Sequence, residues 1–321
     1  MKEIVNWGVL GCAGIGKKVT IPAILQARNA RLYALASRTS EKLKDFCELF
    51  HPVKGYLDYD ELLEDPDVDA VYLPLPNALH CDWVVKACRM GKPVLCEKPL
   101  AMSTEEVEKI IRVSKETGVP VMEAFAYLHG PMMAKIREIV DSGRLGPIRY
   151  MESNFAWLLE DLANVRLNKE IGGGVCFDMM CYPFSFFLSI LGKMPEEIKA
   201  FTTYGEASGV DEDVLAILRF PGGVKASSSC SFRYHKNTRN LIACRKGTID
   251  FPSFFDYGGV KTITVKTKEG TETYEIDTAD RYALQVEQMG NVVLRNEAPL
   301  VSLDLSLNIA KVIDWVLTEN V

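Results

Sequence analysis

The chain has 321 residues, of which 48% are hydrophobic and 25% charged, the proportions of a globular protein long enough for about two domains. They exclude a disordered, collagenous or fibrous chain, and no run approaches 18 uninterrupted apolar residues, which argues against a membrane span. Against 43 Asp and Glu stand 37 Lys and Arg, a net charge of −6, so no basic footprint points to nucleic acid or an anionic membrane as partner.

The first third alternates short apolar runs with helix-length amphipathic stretches, the rhythm of βαβ units. Ile4 to Leu10 is an apolar run that ends in glycine, as a buried parallel strand does. Val9-Leu10-Gly11-Cys12 imitates a lipoprotein cleavage site, but Glu3 spoils the basic region and the stretch is too short for a signal peptide. The expected location is therefore the cytoplasm. The nine cysteines agree with this: they show no C-x-x-C pair and read as small buried hydrophobes of a reducing compartment. A helix covers Pro22 to Leu25, a second strand Arg31 to Ser37, and Thr39 or Ser40 is placed to cap the next helix. A third strand (Val68 to Pro74), a helix (His80 to Met90) and a fourth strand (Pro93 to Cys96) follow. Ser103-Thr104-Glu105-Glu106 has capping-box spacing and opens a helix to Thr117, stopped by Gly118. A fifth strand runs from Val119 to Met122.

After about Phe125 the rhythm changes. A helix (Met132 to Ser142), a strand (Ile148 to Trp157) and a glycine-led helix rich in Phe and Met (Gly172 to Leu191) come first. Strands follow over Glu197–Tyr204, Asp213–Phe220, Val224–Phe232, Asn240–Ala243, Thr248–Phe251 and Lys261–Lys268, and a last helix over Ser302–Leu317. The pattern predicts an α/β protein: a Rossmann doubly wound parallel sheet over 1–122, then an α+β domain with an open, mostly antiparallel sheet over 123–321. The last helix, 302–317, is free to pack back on the first domain.

The first strand runs into Gly11-Cys12-Ala13-Gly14-Ile15-Gly16, the G-x-G-x-x-G spacing with Ala at the middle glycine. Gly11 would make the tight turn, Ala13 admit the pyrophosphate, and Gly16 let the helix pack on the strand. Strand before and helix after are the context that makes this motif a dinucleotide site. At the end of the second strand, where an NAD site places Asp or Glu, stand Ser37-Arg38-Thr39. A guanidinium among hydroxyls suits a 2′-phosphate, so NADP is favoured, with NAD as the alternative if Arg38 is merely solvated or stacks on adenine. Pro74, Asn77 and His80, at and just beyond the end of the third strand, and Glu97-Lys98-Pro99, after the fourth, lie at the carboxyl ends of strands, where such sheets bind ligands. Gly172-Gly173-Gly174-x-x-x-Asp178-x-x-x-Tyr182 puts a carboxylate and a phenol on one helix face. Such a pair either does chemistry or satisfies local backbone groups.

Taken together, these motifs resemble the glucose–fructose oxidoreductase, inositol dehydrogenase and MocA family of oxidoreductases. The segments that carry the resemblance are Gly11–Gly16, Pro76-Asn77-Ala78-Leu79-His80, Glu97-Lys98-Pro99, Met122-Glu123-Ala124-Phe125 and Gly172–Tyr182, so it covers essentially the whole chain. Ser37-Arg38, Val165-Arg166-Leu167 and Phe220-Pro221-Gly222-Gly223 look most like the NADP-linked branch of D-xylose dehydrogenase, dihydrodiol dehydrogenase and 1,5-anhydrofructose reductase. The resemblance implies hydride transfer between NADP(H) and a secondary alcohol or ketone carbon of a sugar, polyol or diol. It implies Lys98 as catalytic lysine, with Asp178 and Tyr182 completing the site, and a homodimer or homotetramer formed through the second domain's sheet. Met180 departs from the pattern, two residues after the Asp where Gly is usual; so does Ala126–Gly130, which lacks the branch's Arg and His-Pro.

Under this reading Tyr182 exchanges the proton at the substrate oxygen, the Lys98 cation assists a phenol whose free pKa is about 10, and Asp178 orients the substrate or Lys98. No metal is required. Candidate substrate-lining residues are Tyr127, Trp157, Arg166 and His235. Two alternatives remain at this stage: a glycosidase of the same superfamily that uses bound NAD transiently, and a non-catalytic nucleotide sensor.

Overall fold

The N-terminal apolar run is β1 (Val5–Leu10), buried at every position but Asn6. A π-helical turn over Gly16–Thr20 leads into α1 (Ile21–Gln26), with Pro22 in its first turn. Next come β2 (Ala30–Ala36), α2 (Ser40–Phe50), β3 (Lys54–Tyr56), α3 (Tyr59–Glu64), β4 (Ala70–Leu73), α4 (His80–Arg89), β5 (Val94–Cys96), α5 (Thr104–Thr117) and β6 (Val121–Glu123). The strands form one parallel sheet in the order β3-β2-β1-β4-β5-β6. This is the doubly wound order whose strand direction of travel reverses between β1 and β4, and the crevice for a ligand opens at the carboxyl ends of those two strands.

The structure is a computed structural model that describes residues 2–253, 258–278 and 280–319. Ser103 Oγ accepts from Glu106 N (3.3 Å), as a capping box requires, but the Glu106 carboxylate reaches past Ser103 to Met102 N (2.9 Å). Thr39 occupies the cap position of α2 without a side-chain cap bond; its own N–H donates to Ser37 Oγ (3.2 Å).

The second half opens with α6 (Pro131–Asp141), β7 (Ile148–Ala156) and α7 (Cys181–Leu191), the last preceded by a π-helical turn over Cys176–Met180. β8 (Glu197–Tyr204), β9 (Asp211–Phe220), β10 (Val224–Ser231), β11 (Asn237–Cys244), β12 (Gly247–Phe251), β13 (Val260–Thr267) and β14 (Thr271–Asp277) complete an eight-stranded sheet, β14-β13-β12-β11-β7-β10-β9-β8. Every neighbour pair is antiparallel except β10 with β7. The chain ends in α8 (Arg281–Arg295) and α9 (Leu303–Thr318).

The chain forms two compact units, Met1–His129 with Asp280–Ser306 and Gly130–Ala279 with Leu307–Val321. α8 belongs to the first. There Asn29 Nδ2 donates to Glu287 O (2.8 Å) and Arg28 pairs with Glu287 (2.6 Å). A Cβ at Gly290 would lie 2.6 Å from Asn29 Nδ2, so this mid-helix glycine is where α8 lets the chain before β2 come close. Within the second unit α7 is apolar nearly all round, with Phe184, Phe186 and Phe187 fully buried. Among the described residues one stretch, Lys169–Leu191, is long and apolar enough to cross a bilayer; 67% of its most apolar window is buried, as in a core helix.

Candidate active site

In the first unit, the turn after β1 has the conformation its glycines foretell. Gly11 has φ +117°, a region closed to most side chains, and a Cβ there would lie 2.9 Å from Leu75 Cδ2. Nothing lies within 4 Å of a Cβ placed on Gly14, and Ala13, Gly14 and Ile15 are open to solvent in part or whole. The turn therefore leaves room for a pyrophosphate against its backbone. Gly16 plays a different part from the one expected. A Cβ there would meet its nearest neighbour, Ile21, at 3.8 Å, an ordinary contact, so helix–strand packing does not demand glycine. Gly8, inside β1, is the tight position, 2.7 Å from Leu62 Cδ2. Burial pushes the Cys12 thiol in this turn up to about 11, so it stays protonated.

Ser37 is buried at the tip of β2, and Arg38 beside it is exposed, its guanidinium 5.9 Å from the centre of the Tyr59 ring. A 2′-phosphate fits this tip: a cation open to solvent stands where a carboxylate would repel it.

After β4, Pro74 is buried and Asn77 partly exposed. His80 is fully buried, Nδ1 at 2.7 Å from Pro99 O and Nε2 at 2.8 Å from Leu75 O, so its ring bridges the chain after β4 to the chain after β5. Burial lowers its pKa. Neither ring nitrogen points to an open site; its part is to hold the backbone.

Glu97 and Lys98 follow β5, half-buried, with a cis Lys98–Pro99 bond. Tyr72, fully buried in β4, donates its hydroxyl to Glu97 Oε1 (2.6 Å), and burial beside Glu97 holds the phenol protonated. Leu100 N donates to Glu123 Oε1 (2.9 Å). Tyr127 is 3% exposed and packs edge-on against Phe125 at 6.2 Å.

In the second unit the structure brings Asp178, Arg166 and Trp157 together. Arg166 Nε donates to Asp178 Oδ2 (2.6 Å), and the guanidinium lies 5.5 Å from the centre of the Trp157 ring, which itself packs edge-on against Phe232. The glycine triplet makes this possible. Gly173 N and Gly174 N donate to Asn168 O and Arg166 O, and a Cβ on Gly173 would come 2.5 Å from Arg166 O. Gly174, at φ +120°, leaves no room for a Cβ against the Asp211 carboxylate, which accepts from Cys176 N (2.6 Å). The close approach foreseen for the glycines is thus to the chain's own 165–168 segment. Asp178 lies in the π-helical turn and Tyr182 one turn on, where it packs edge-on against Phe155 at 6.1 Å. Met180, where glycine is usual, is fully buried and accepts from Ser228 Oγ (3.3 Å). His235 is exposed between β10 and β11.

Sequence reasoning missed four supporting residues: Tyr72, Asp211, Phe155 and Phe232. Tyr72 and Phe155 sit inside runs read only as strand. Asp211 just precedes a predicted strand, and its one signal was a lone carboxylate before an apolar alternation. Among the described residues no group of three His, Cys, Asp or Glu is placed to hold a metal ion.

Comparison with known proteins adds three findings. Residues 5–125 match the family model described as an oxidoreductase family with an NAD-binding Rossmann fold, and residues 133–250 match the GFO/IDH/MocA C-terminal domain. The chain is 34% identical to D-xylose 1-dehydrogenase (NADP(+)) 2 of Haloferax volcanii, over 97% of this chain and 95% of that one. It is 29% identical to trans-1,2-dihydrobenzene-1,2-diol dehydrogenase of Xenopus laevis, over 98% and 97%. Among solved structures it resembles a 3-ketoreductase from Actinomadura kijaniata in complex with NADP and TDP-benzene, with a TM-score of 0.91, 28% identity and 98% of both chains covered. That ketoreductase was also solved in two single-mutant forms, one with a tyrosine changed to phenylalanine and another with a lysine changed to alanine.

Proposed function

The chain belongs to the GFO/IDH/MocA oxidoreductase family, and we propose that it transfers hydride between NADP(H) and a secondary alcohol or ketone carbon of a sugar, polyol or diol. The exposed Arg38 guanidinium at the tip of β2, beside Ser37, carries the choice of NADP over NAD. Gly11, Ala13, Gly14, Ile15 and Gly16 take the pyrophosphate, and Pro74, Asn77, Glu97 and Lys98 line the carboxyl ends of β4 and β5. The bound nicotinamide supplies the hydride chemistry. The chain's own residues orient substrate and move the proton: Tyr182 at the substrate oxygen, Lys98 as the cation that stabilises developing negative charge there, and Asp178 as the orienting carboxylate. Lys98 and Tyr182 stand as far apart in sequence as the two residues substituted in the ketoreductase, which supports these roles.

Arg166 and Trp157 form a cation–aromatic wall next to Asp178, suited to the alternating hydroxyl and C–H faces of a sugar; Tyr127 is the further lining candidate. We infer a homo-oligomer through the outer sheet face, where Phe201, Leu215 and Ile217 are 69%, 40% and 47% exposed on the edge strand β8 and its neighbour β9. The proposed location is the cytoplasm, in keeping with nine free cysteines.

Nicotinamide fluorescence with NADPH and NADH, on the parent chain and Arg38→Ala, tests the cofactor reading. A preference for NADPH that collapses in the variant is the expected result. Equal binding of the two cofactors by the parent would overturn the NADP assignment.

A further inference from the structure

Glu123, the last residue of β6, is 1% exposed, and its strand position faces Cys96 across the parallel ladder, one residue ahead of the Glu97-Lys98 turn. Its carboxyl oxygens are used unequally. Oε1 accepts from Leu100 N at 2.9 Å, while Oε2 is buried with no well-aligned hydrogen bond. A carboxylate kept in the interior with an idle oxygen costs free energy that an apolar residue would avoid, so something other than packing accounts for it. The groups that bear on its charge come from two segments. Lys98 and Glu97 come from the turn after β5, the Leu100 N–H from the same turn, and the Ser306 hydroxyl, itself 2% exposed, from the first turn of α9. Lys98 is the one cation among them. Burial pushes the carboxyl up to about 7, against the opposing pull of Ser306, Leu100 N–H and Lys98, so near neutrality it is close to even between its two charge states.

We propose that Glu123 is the positioning residue of Lys98: it grips the backbone two residues downstream and sets, from within the core, the buried negative charge that keeps the Lys98 ammonium protonated. This rests on Lys98 being the cation of the active site, as proposed above. Two other buried side chains hold the same turn, Tyr72 on Glu97 and His80 on Pro99, but neither brings a full charge to it when the imidazole is neutral. Glu123 alone of the three couples the turn's geometry to its electrostatics. Between ions in a medium of low effective dielectric this coupling is worth far more than between surface groups.

The test uses the full chain with its lysines ¹³C-methylated, the Lys98 resonance being assigned by its loss in Lys98→Arg. In Glu123→Gln the amide oxygen still accepts from Leu100 N–H but the charge is gone. The Lys98 titration midpoint should fall by about one pH unit, a tenfold loss of proton affinity, while exchange of the Leu100 amide stays at the parental rate. An unchanged midpoint in a folded Glu123→Gln would overturn the proposal. Should that variant fail to fold, the parent decides: its Lys98 resonance must show a second inflection where Glu123 ionises, and a single smooth titration refutes the coupling. Loss of nicotinamide-dependent turnover in Lys98→Met checks the reading of Lys98 separately. Full turnover there would remove the catalytic lysine and leave the Glu123–Lys98 coupling to stand or fall on the titration.

Discussion

The turn that carries Lys98 and the helix start that carries Asp178 are held by opposite means. Tyr72, His80 and Glu123, each at most 1% exposed, grip Glu97, Pro99 and Leu100 from inside the core, on both sides of Lys98. Asp178 bonds the side chain of Arg166, which is 38% exposed and rests on the face of Trp157. Below that pair, however, lies close packing, at Gly173 against the backbone of Arg166 and at Gly174 against the Asp211 carboxylate. Each half is therefore vulnerable to a different change. The parallel-sheet half fixes Lys98, its proposed catalytic cation, by buried polar side chains, so charge and pH should reach it. The open-sheet half fixes Asp178, its proposed orienting carboxylate, by glycine and an accessible ion pair, so added side-chain bulk and loss of the guanidinium should.

The largest effect should follow from bulk. Gly174→Ala forces a side chain into a φ of +120° against the Asp211 carboxylate, and a loss of about 3–5 kcal/mol in urea-unfolding stability is expected; a loss below about 1 kcal/mol would mean the helix start is pliant.

Charge comes next. A Glu123 carboxyl pushed from 4.5 to about 7 in the folded protein binds its proton more tightly than in the unfolded chain. Its stabilising contribution is therefore complete below about pH 4.5 and is lost as pH rises to about 7, a change of about 3 kcal/mol. Glu123→Gln should flatten that fall in a stability profile measured across the window. A parental slope in the variant would assign the fall to other groups.

Smaller still is the loss of the ion pair. Arg166→Ala should lower kcat/KM by about tenfold through a displaced Asp178. Arg166→Lys should recover little of it, since an ammonium cannot both lie flat on Trp157 and donate in the plane of the carboxylate. Full recovery in the lysine variant would show that charge alone matters there. Smallest is Tyr72→Phe, which removes one buried donor to a half-buried carboxylate and should cost about 1 kcal/mol of stability, read from the same urea curves.

Much of the first half was legible because its signals are local. Apolar runs, glycine turns and caps each act within a few residues, and they located β1, β2, β4, β5 and β6 and the turns at Gly11 and Lys98. β3 and α3 escaped, being a three-residue strand and a six-residue helix too short for any period to show. α8 escaped for another reason. Its buried Ala283, Val286, Met289 and Val292 do recur at helical spacing, but Gln285, Gln288 and Asn291 dilute the stripe in a region otherwise read as strands. At the site, residue types were legible and their alliances were not. Arg166, Trp157 and Asp178 were each singled out, yet no spacing announced that a glycine triplet would bring residue 166 against residue 178. Glu123 was visible only as part of a motif, because what distinguishes it, an idle oxygen in the core, exists only once the chain is folded.

The proposed reaction pairs acid–base chemistry at Tyr182 with NADP-dependent hydride transfer. The most direct measurement follows nicotinamide absorbance during turnover of aldoses and vicinal diols by the parent chain and by Tyr182→Phe, with NADPH binding measured alongside. The account predicts that the parent turns over at least one of these with NADP, and that Tyr182→Phe loses on the order of 10²-fold in kcat while binding NADPH as before. Turnover at the parental rate without the phenol would contradict it.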